Sequence, residues 1–146
     1  IEAVWEKHFI IRTSWVYSQF GSNFLKTMLR LASERTSLSV VSDQIGTPTY
    51  AVDLAEVLLK IVTSKTKTFG IYNFSNEGQC SWYDFAHEIF LQKDITIDLQ
   101  AISTKLYPTP AKRPAYSVLD KSKIKATFGV NINDWKTSLN NCLKHY

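Results

Sequence analysis

Two hydroxyls and an indole interrupt the first apolar stretch of the sequence. Residues 10–17 begin with β-branched side chains that favour a strand, and then reach Thr13, Ser14 and Trp15. In an open α/β sheet, ligands bind just beyond the carboxyl ends of the strands. Thr13, Ser14 and Trp15 could therefore hydrogen-bond to a ligand and stack against it. The alternative is that Trp15 is a core aromatic, since most tryptophan side chains are largely buried.

Two later loops carry side chains suited to an anionic ligand. Residues 43–49 follow an apolar strand pattern at 38–42, are dense in turn formers and contain the amide of Gln44. Residues 107–114 contain three of the four prolines, which excludes a helix and favours a pinned, extended loop. Arg113 in this loop carries a guanidinium of the kind that binds phosphate with two hydrogen bonds. An ordinary surface arginine is an equally open interpretation.

Several common catalytic patterns are missing from the sequence. It contains no glycine-rich phosphate loop, no nucleophile elbow, no Cys-x-x-Cys pair, and no tyrosine followed four residues later by lysine. The three histidines are dispersed, so the residues predict no metal site. No side chain of this chain is therefore predicted to be catalytic.

Composition indicates an ordinary soluble domain. The 146 residues are enough for one domain with a core, and 45% hydrophobic and 21% charged residues are typical of globular proteins. The net charge of +4 comes from scattered lysines, which suits a small polyanionic ligand better than a nucleic acid. No apolar run is long enough to cross a membrane, and two cysteines give no sign of a disulfide framework or of secretion. A first residue that is not methionine suggests a piece of a longer protein.

The candidate residues must be positioned by an α/β arrangement. Hydrophobic periodicity predicts strands over about 9–18, 38–42, 71–74 and 94–102. It also predicts the tail of a helix at 1–7, helices that begin at 24 and at 82, a helix over 54–62, and two further helices after Asp120 and Asp134. Ser22 or Asn23 is expected to cap the helix at 24, and Ser81 with Asp84 forms a capping box. Strands separated by helices predict parallel pairing.

Seven short segments, in order and at sensible spacing, resemble the dTDP-4-dehydrorhamnose reductase family of the extended short-chain dehydrogenase/reductase superfamily. The resemblance covers essentially the whole chain, and its specific parts are Arg-Thr-Ser-Trp-Val-Tyr at 12–17 and the run from 111 to 120. The segments are residues 12–17, 23–24, 43–49, 107–114, 117–120, 128–129 and 134–135. The run at 111–120 differs from the family pattern in having Lys112 before Arg113.

The resemblance explains the missing catalytic patterns. In that family the dinucleotide glycine loop and the Tyr-x-x-x-Lys pair precede the segment matching residues 12–17. Residues 1–146 would then be the C-terminal part of a Rossmann-like reductase, with short parallel strands, helices and a small substrate-binding lobe, and without the N-terminal dinucleotide-binding part. The whole enzyme would use NADPH or NADH in the cytoplasm to reduce dTDP-4-dehydro-L-rhamnose to dTDP-L-rhamnose, for cell-surface polysaccharides such as O-antigen. This part alone is predicted to be inactive.

The resemblance also assigns roles to the candidate residues. Trp15 would line the sugar pocket, while Thr13 and Ser14 would lie near the nicotinamide of the cofactor. Asn23, Phe24 and Gln44 would hold the nucleotide, and Arg113 would bind the diphosphate.

Assembly and two rival functions remain open at this stage. Some members of the family dimerise through a metal site, but Val52 and Asp53 offer only one carboxylate here, so a homodimer is left open and no metal is predicted. One rival is a nucleotide-sugar epimerase or dehydratase of the same superfamily, against which Trp15 and the Pro-Thr loop argue. The other is a non-catalytic regulatory subunit resembling the β-subunit of methionine adenosyltransferase.

Overall fold

Short strands and helices alternate along the chain. The computed structural model describes residues 3–146. Strands β1 to β8 span Phe9–Arg12, Val16–Tyr17, Ser37–Val41, Ile45–Gly46, Thr49–Tyr50, Gly70–Asn73, Cys80–Ser81 and Asp98–Ile102. Helices α1 to α5 span Phe24–Glu34, Ala51–Thr63, Trp82–Gln92, Ser122–Phe128 and Trp135–Leu143, and a 3-10 turn covers Thr104–Leu106. The predicted α/β class is confirmed.

Parallel pairing dominates the strands, as predicted. Strand β1 pairs with β6, β2 with β5 and β3 with β8, all in parallel. The exception is the antiparallel pair of β4 and β7, each only two residues long. Strands this short carry no readable alternation of polar and apolar residues, so the sequence could not predict their pairing.

Three predicted elements differ from the structure. Residues 3–7 form turns rather than the end of a helix, and residues 1–2 lie outside the described range. Val4 and Trp5 are exposed, so no packing stabilises a helix there. The first predicted strand is divided into β1 and β2 by Trp15, whose φ is +48°. Asp94 also has a positive φ, of +51°, and the last strand begins only at residue 98.

The predicted helix boundaries depend on local capping and are largely confirmed. The Asn23 side chain accepts a hydrogen bond from the backbone N–H of Lys26 at the start of α1. The capping box of Ser81 and Asp84 is present at the start of α3. The helix predicted after Asp120 begins at Ser122, whose backbone N–H donates to the Asp120 carboxylate over 2.9 Å.

Two apolar clusters form the core, and a buried amide links the elements around them. One cluster packs α1, α3 and α5 against β3, and the other packs α2 and α4 against β6. Asn76, fully buried after β6, accepts from the backbone N–H of Tyr50 and donates to Asp53 and Ser138 over 2.5 and 2.8 Å. These bonds join the start of α2 and the middle of α5 to the end of β6. No helix within residues 3–146 is both long and apolar enough to span a membrane.

Candidate functional site

Strand β4, directly after Gln44, lies between the start of α3 and the loop that carries Arg113. On one side Ile45 and Gly46 pair with Ser81 and Cys80 of β7, which leads directly into α3. On the other side the backbone N–H of Ile45 donates to the carbonyl of Ala115 over 2.8 Å. Residues 43–46, the start of α3 and the end of the loop at 107–114, called the proline loop below, therefore lie next to one another.

The indole of Trp15 stacks on the indole of Trp82. Their ring centroids are 3.6 Å apart and the ring planes differ by 15°. Phe24 contacts the same Trp82, with ring centroids 4.8 Å apart. Trp15, Phe24 and Trp82 are all half-buried, so the cluster reaches the surface. Two predicted site residues, Trp15 and Phe24, are thus brought together through a third aromatic that sequence reasoning missed.

Backbone geometry at Trp15 is unusual for a bulky residue. Its φ of +48° lies in the left-handed region, which non-glycine residues adopt rarely and at a cost. The Trp15 carbonyl accepts from the backbone N–H of Thr49 over 3.1 Å, which ties the turn to β5. Such conformations persist where surrounding contacts hold them, and they are concentrated at functional sites.

The hydroxyls of Thr13 and Ser14 are bonded to the segment between β4 and β5. Ser14 donates to the carbonyl of Thr47 over 3.1 Å, and Thr13 donates to the hydroxyl of Thr49 over 3.3 Å. Thr47 and Thr49 are fully buried, whereas Thr13 is exposed at the carboxyl end of β1. This placement fits the expected end-of-strand position, while contact with a cofactor stays a prediction.

Asn23 uses its side chain to build the start of α1. Its amide oxygen accepts from Lys26, and its amide nitrogen donates to the carbonyls of Ser18 and Phe20 over 2.8 and 3.2 Å. A nucleotide would have to compete with these bonds for the Asn23 side chain. The structure therefore gives Asn23 a capping function, and its contact with the nucleotide stays a prediction.

Gln44 and its neighbour Asp43 hold the start of the proline loop. The Gln44 amide donates to the hydroxyl of Thr104 over 3.0 Å. The Asp43 carboxylate accepts from the Thr104 hydroxyl over 2.6 Å and from its backbone N–H over 2.8 Å. Hydrogen bonds from Thr104, first from its hydroxyl and then from its backbone, lower the pKa of Asp43 below its ordinary value. Residues 43–45 thus anchor the proline loop on both sides, through Thr104 before it and through Ala115 after it.

Arg113 lies exposed on this loop, two residues before Ala115. Within residues 3–146 its guanidinium forms no ion pair. A free guanidinium on a loop anchored at both ends can receive a phosphate without breaking a bond inside the protein. Among the described residues, Arg113 makes no cation–π contact with Trp15, Phe24 or Trp82. Within the same range, no group of three His, Cys, Asp or Glu residues is arranged to share a metal ion.

Sequence reasoning missed Trp82 and Gly46. Trp82 shares a helical face with Phe85 and Ile89, so periodicity could have marked it as inward-facing. Its stacking on Trp15 depends on the pairing of β4 with β7, which no local pattern reveals. Gly46 appeared only as one of several turn formers in residues 43–49.

Comparison with known proteins identifies the family of this chain. The family described as the RmlD substrate binding domain matches residues 1–146. The dTDP-4-dehydrorhamnose reductase of Aggregatibacter actinomycetemcomitans is 47% identical over 146 residues, which cover 92% of this chain and 49% of that protein.

Two solved structures share the fold closely. The dTDP-4-dehydrorhamnose reductase of Clostridium acetobutylicum superimposes with a TM-score of 0.93 at 42% identity. The Bacillus anthracis reductase, solved in complex with NADP, gives 0.91 at 37% identity. In both cases the match covers 99% of this chain and 50% of the solved chain. The chain spans about half the length of the curated relatives it matches. It belongs to the RmlD substrate-binding domain family.

Proposed function

We propose that this chain is the C-terminal, substrate-binding part of an NADPH-dependent dTDP-4-dehydrorhamnose reductase. The reaction adds a hydride to C4 of dTDP-4-dehydro-L-rhamnose and a proton to its oxygen, giving dTDP-L-rhamnose. The observation that carries the proposal is the family match over residues 1–146. The contacts of Trp15 and Phe24 with Trp82 are compatible with a shared ligand site. The NADP complex of the Bacillus anthracis relative supports the choice of cofactor.

The surface of this chain supports the proposal that a separate dinucleotide-binding part packs against it. Within residues 3–146, β1 pairs only with β6, yet parallel sheets are normally wider and covered on both faces. Helix α2 exposes Leu59 and Val62 by 66% and 73% of their surface. A dinucleotide-binding part that adds strands beside β1 would extend the sheet, and it would supply the cofactor site and the Tyr-x-x-x-Lys pair.

The residues of this chain would bind and orient the substrate. The part of the Trp15 indole that Trp82 leaves uncovered suits the apolar C–H face of a deoxysugar, and its N–H can donate to a sugar hydroxyl. Arg113 would bind the diphosphate with charge-assisted hydrogen bonds, and Phe24 and Gln44 would contact the nucleotide. Thr13 and Ser14 lie at the carboxyl end of β1, where the nicotinamide would approach. NADPH would supply the hydride when bound by the other part.

A coupled assay on the full-length protein tests this proposal. We expect NADPH oxidation that depends on dTDP-4-dehydro-L-rhamnose and yields one equivalent of dTDP-L-rhamnose, measured by absorbance and by chromatography of the nucleotide sugar. An epimerase or dehydratase would convert a nucleotide sugar without net consumption of NADPH. A regulatory subunit would bind ligand without turnover. Either result would overturn the reductase assignment.

Assembly, location and pathway stay predictions. A homodimer is left open, while a cytoplasmic location, a role in cell-surface polysaccharide synthesis, and the absence of metal and nucleic-acid partners rest only on the sequence and its resemblance. Gel filtration with light scattering of the full-length protein would decide the oligomeric state.

A further inference from the structure

We propose that Trp82 and Gly46 are positioning residues that fix the orientation of the Trp15 indole and so shape the sugar subsite. This inference rests on the proposed function, because it takes Trp15 as a wall of that subsite. Neither residue is expected to contact the reacting atoms. Their effect on the substrate would pass through Trp15.

Trp82 holds the Trp15 ring by stacking on it almost parallel. The 3.6 Å separation of the ring centroids and the 15° angle leave little freedom for the Trp15 ring to tilt toward Trp82. Trp82 is itself held in place, because it is the first residue of α3, lies between the capping-box residues Ser81 and Asp84, and also contacts Phe24. A rigid helix start therefore sets the plane of an indole whose own backbone lies in the left-handed region.

Gly46 leaves the space that this ring position requires. A Cβ atom at Gly46 would lie 2.6 Å from Cζ2 of Trp15, far inside van der Waals contact, and 3.0 Å from Oγ of Ser117. Gly46 does not have a positive φ, so its backbone conformation is open to other residues. Glycine is needed here for close approach to the indole, and any side chain would displace the Trp15 ring.

The strand pairing brings these contacts together. Gly46 pairs with Cys80, which lies two residues before Trp82. The pairing of β4 with β7 therefore places both Gly46 and Trp82 beside the Trp15 ring. Trp82 covers one face of the Trp15 indole and Gly46 lies close to its Cζ2 and Cε2 atoms, so a ligand would use the ring surface that these two residues leave open. The Trp15 N–H is not one of the buried polar atoms that lack a partner within residues 3–146, which is consistent with its donating to a sugar hydroxyl in the proposed subsite.

Calorimetry on the full-length protein with dTDP and dTDP-L-rhamnose tests the inference, since only the second ligand fills the sugar subsite. We expect Trp82→Ala to weaken dTDP-L-rhamnose binding roughly tenfold while the affinity for dTDP changes little. Trp82→Phe keeps a flat ring for stacking and should recover most of the loss. Trp5→Ala removes an exposed tryptophan outside the cluster and is the matched control.

A double-mutant cycle with Trp15→Ala asks whether Trp82 acts through Trp15. If it does, Trp82→Ala should cause no further loss of dTDP-L-rhamnose affinity once Trp15 is alanine. Gly46→Ala should reproduce the sugar-specific loss by a separate route, so the inference stays testable if Trp82→Ala fails to fold. Equal losses for dTDP and dTDP-L-rhamnose, or additive losses in the cycle, would overturn it. If the wild type binds neither ligand, the proposed function itself fails.

Discussion

The sequence allows two interpretations of Trp15, as a residue that lines the sugar pocket or as a core aromatic. Each interpretation describes part of the side chain. The ring is half-buried, stacks on Trp82 and packs against the larger apolar cluster. Its N–H nevertheless is not one of the buried polar atoms without a partner within the described residues, as expected for a ring that reaches the surface. A choice between site and core therefore cannot be made from stability alone, and kinetics and stability must be measured together.

Under the proposed function, replacing Trp15 by alanine should lower both kcat/KM and the free energy of unfolding of the full-length protein. We expect kcat/KM to fall roughly 10- to 100-fold, about 1.4–2.7 kcal/mol of transition-state stabilisation. The free energy of unfolding should fall by about 1–3 kcal/mol, less than the 3–5 kcal/mol of a fully buried tryptophan. Steady-state kinetics and urea unfolding measure the two effects.

Trp15→Phe, which keeps the stacking ring but not the N–H, should lose activity with little loss of stability. Normal kinetics with a large loss of stability would make Trp15 a core residue only.

Arg113 offers the opposite case, a residue with no evident part in stability. Because it is exposed and forms no ion pair within residues 3–146, Arg113→Ala should leave the free energy of unfolding within about 0.5 kcal/mol of the wild type. Loss of a charge-assisted contact to diphosphate should weaken dTDP-sugar binding about 10- to 100-fold. Calorimetry measures the binding, and Lys112→Ala, the neighbouring exposed cation, is the control. Equal, small effects of both variants would show that Arg113 is an ordinary surface residue.

Among the elements, those defined by local chemistry were predictable and those defined by distant pairing were not. The helix starts at Asn23 and Ser81 depend on side chains within three residues, which can be read directly from the sequence. Strands β2, β4, β5 and β7 have two residues each, and partners far along the chain determine them. For this reason the loops carrying the candidate residues could be found in the sequence, whereas the contact of Trp15 with Trp82 and Gly46 could not.

The anchor between β3 and the proline loop should depend on pH. Hydrogen bonds from the Thr104 hydroxyl and backbone lower the pKa of Asp43 in the folded state. Folding thus favours the ionised carboxylate. Its contribution to the free energy of unfolding is complete above the pKa of about 3.9 that Asp43 has in the unfolded chain. It is lost as the pH falls through the lower, folded pKa. Urea unfolding from pH 7 to pH 3 should therefore show a steeper acid loss for the wild type than for Asp43→Asn, which cannot titrate.

Direct titration provides a second measurement of the same anchor. The carboxyl carbon of Asp43, followed by NMR, should titrate with a midpoint below about 3.9. Thr104→Ala removes the hydroxyl, the largest cause of the shift, and should raise this midpoint toward the ordinary value. An unshifted midpoint in the wild type, or identical acid profiles for the wild type and Asp43→Asn, would contradict the anchor.

At the scale of the whole molecule, this chain carries the residues proposed for the substrate and lacks the patterns expected for the cofactor. Phe24 and Gln44 lie in the described fold, and Arg113 lies on a loop anchored at both ends. No glycine-rich loop is present in the sequence to bind a dinucleotide phosphate, and no tyrosine is followed four residues later by lysine. Nucleotide-sugar binding and cofactor binding should therefore be separable by experiment.

The 146-residue chain by itself should bind dTDP but not NADPH, and it should reduce nothing. The reason is that a dinucleotide needs backbone N–H groups in a glycine-rich loop at a helix start, and this sequence has none. Calorimetry with both ligands makes the comparison, and binding of dTDP at the same time shows that the chain is folded. The full-length protein, in which both ligands should bind, is the positive control. Micromolar binding of NADPH to residues 1–146 would place a cofactor site within this chain and contradict the proposed division between the two parts.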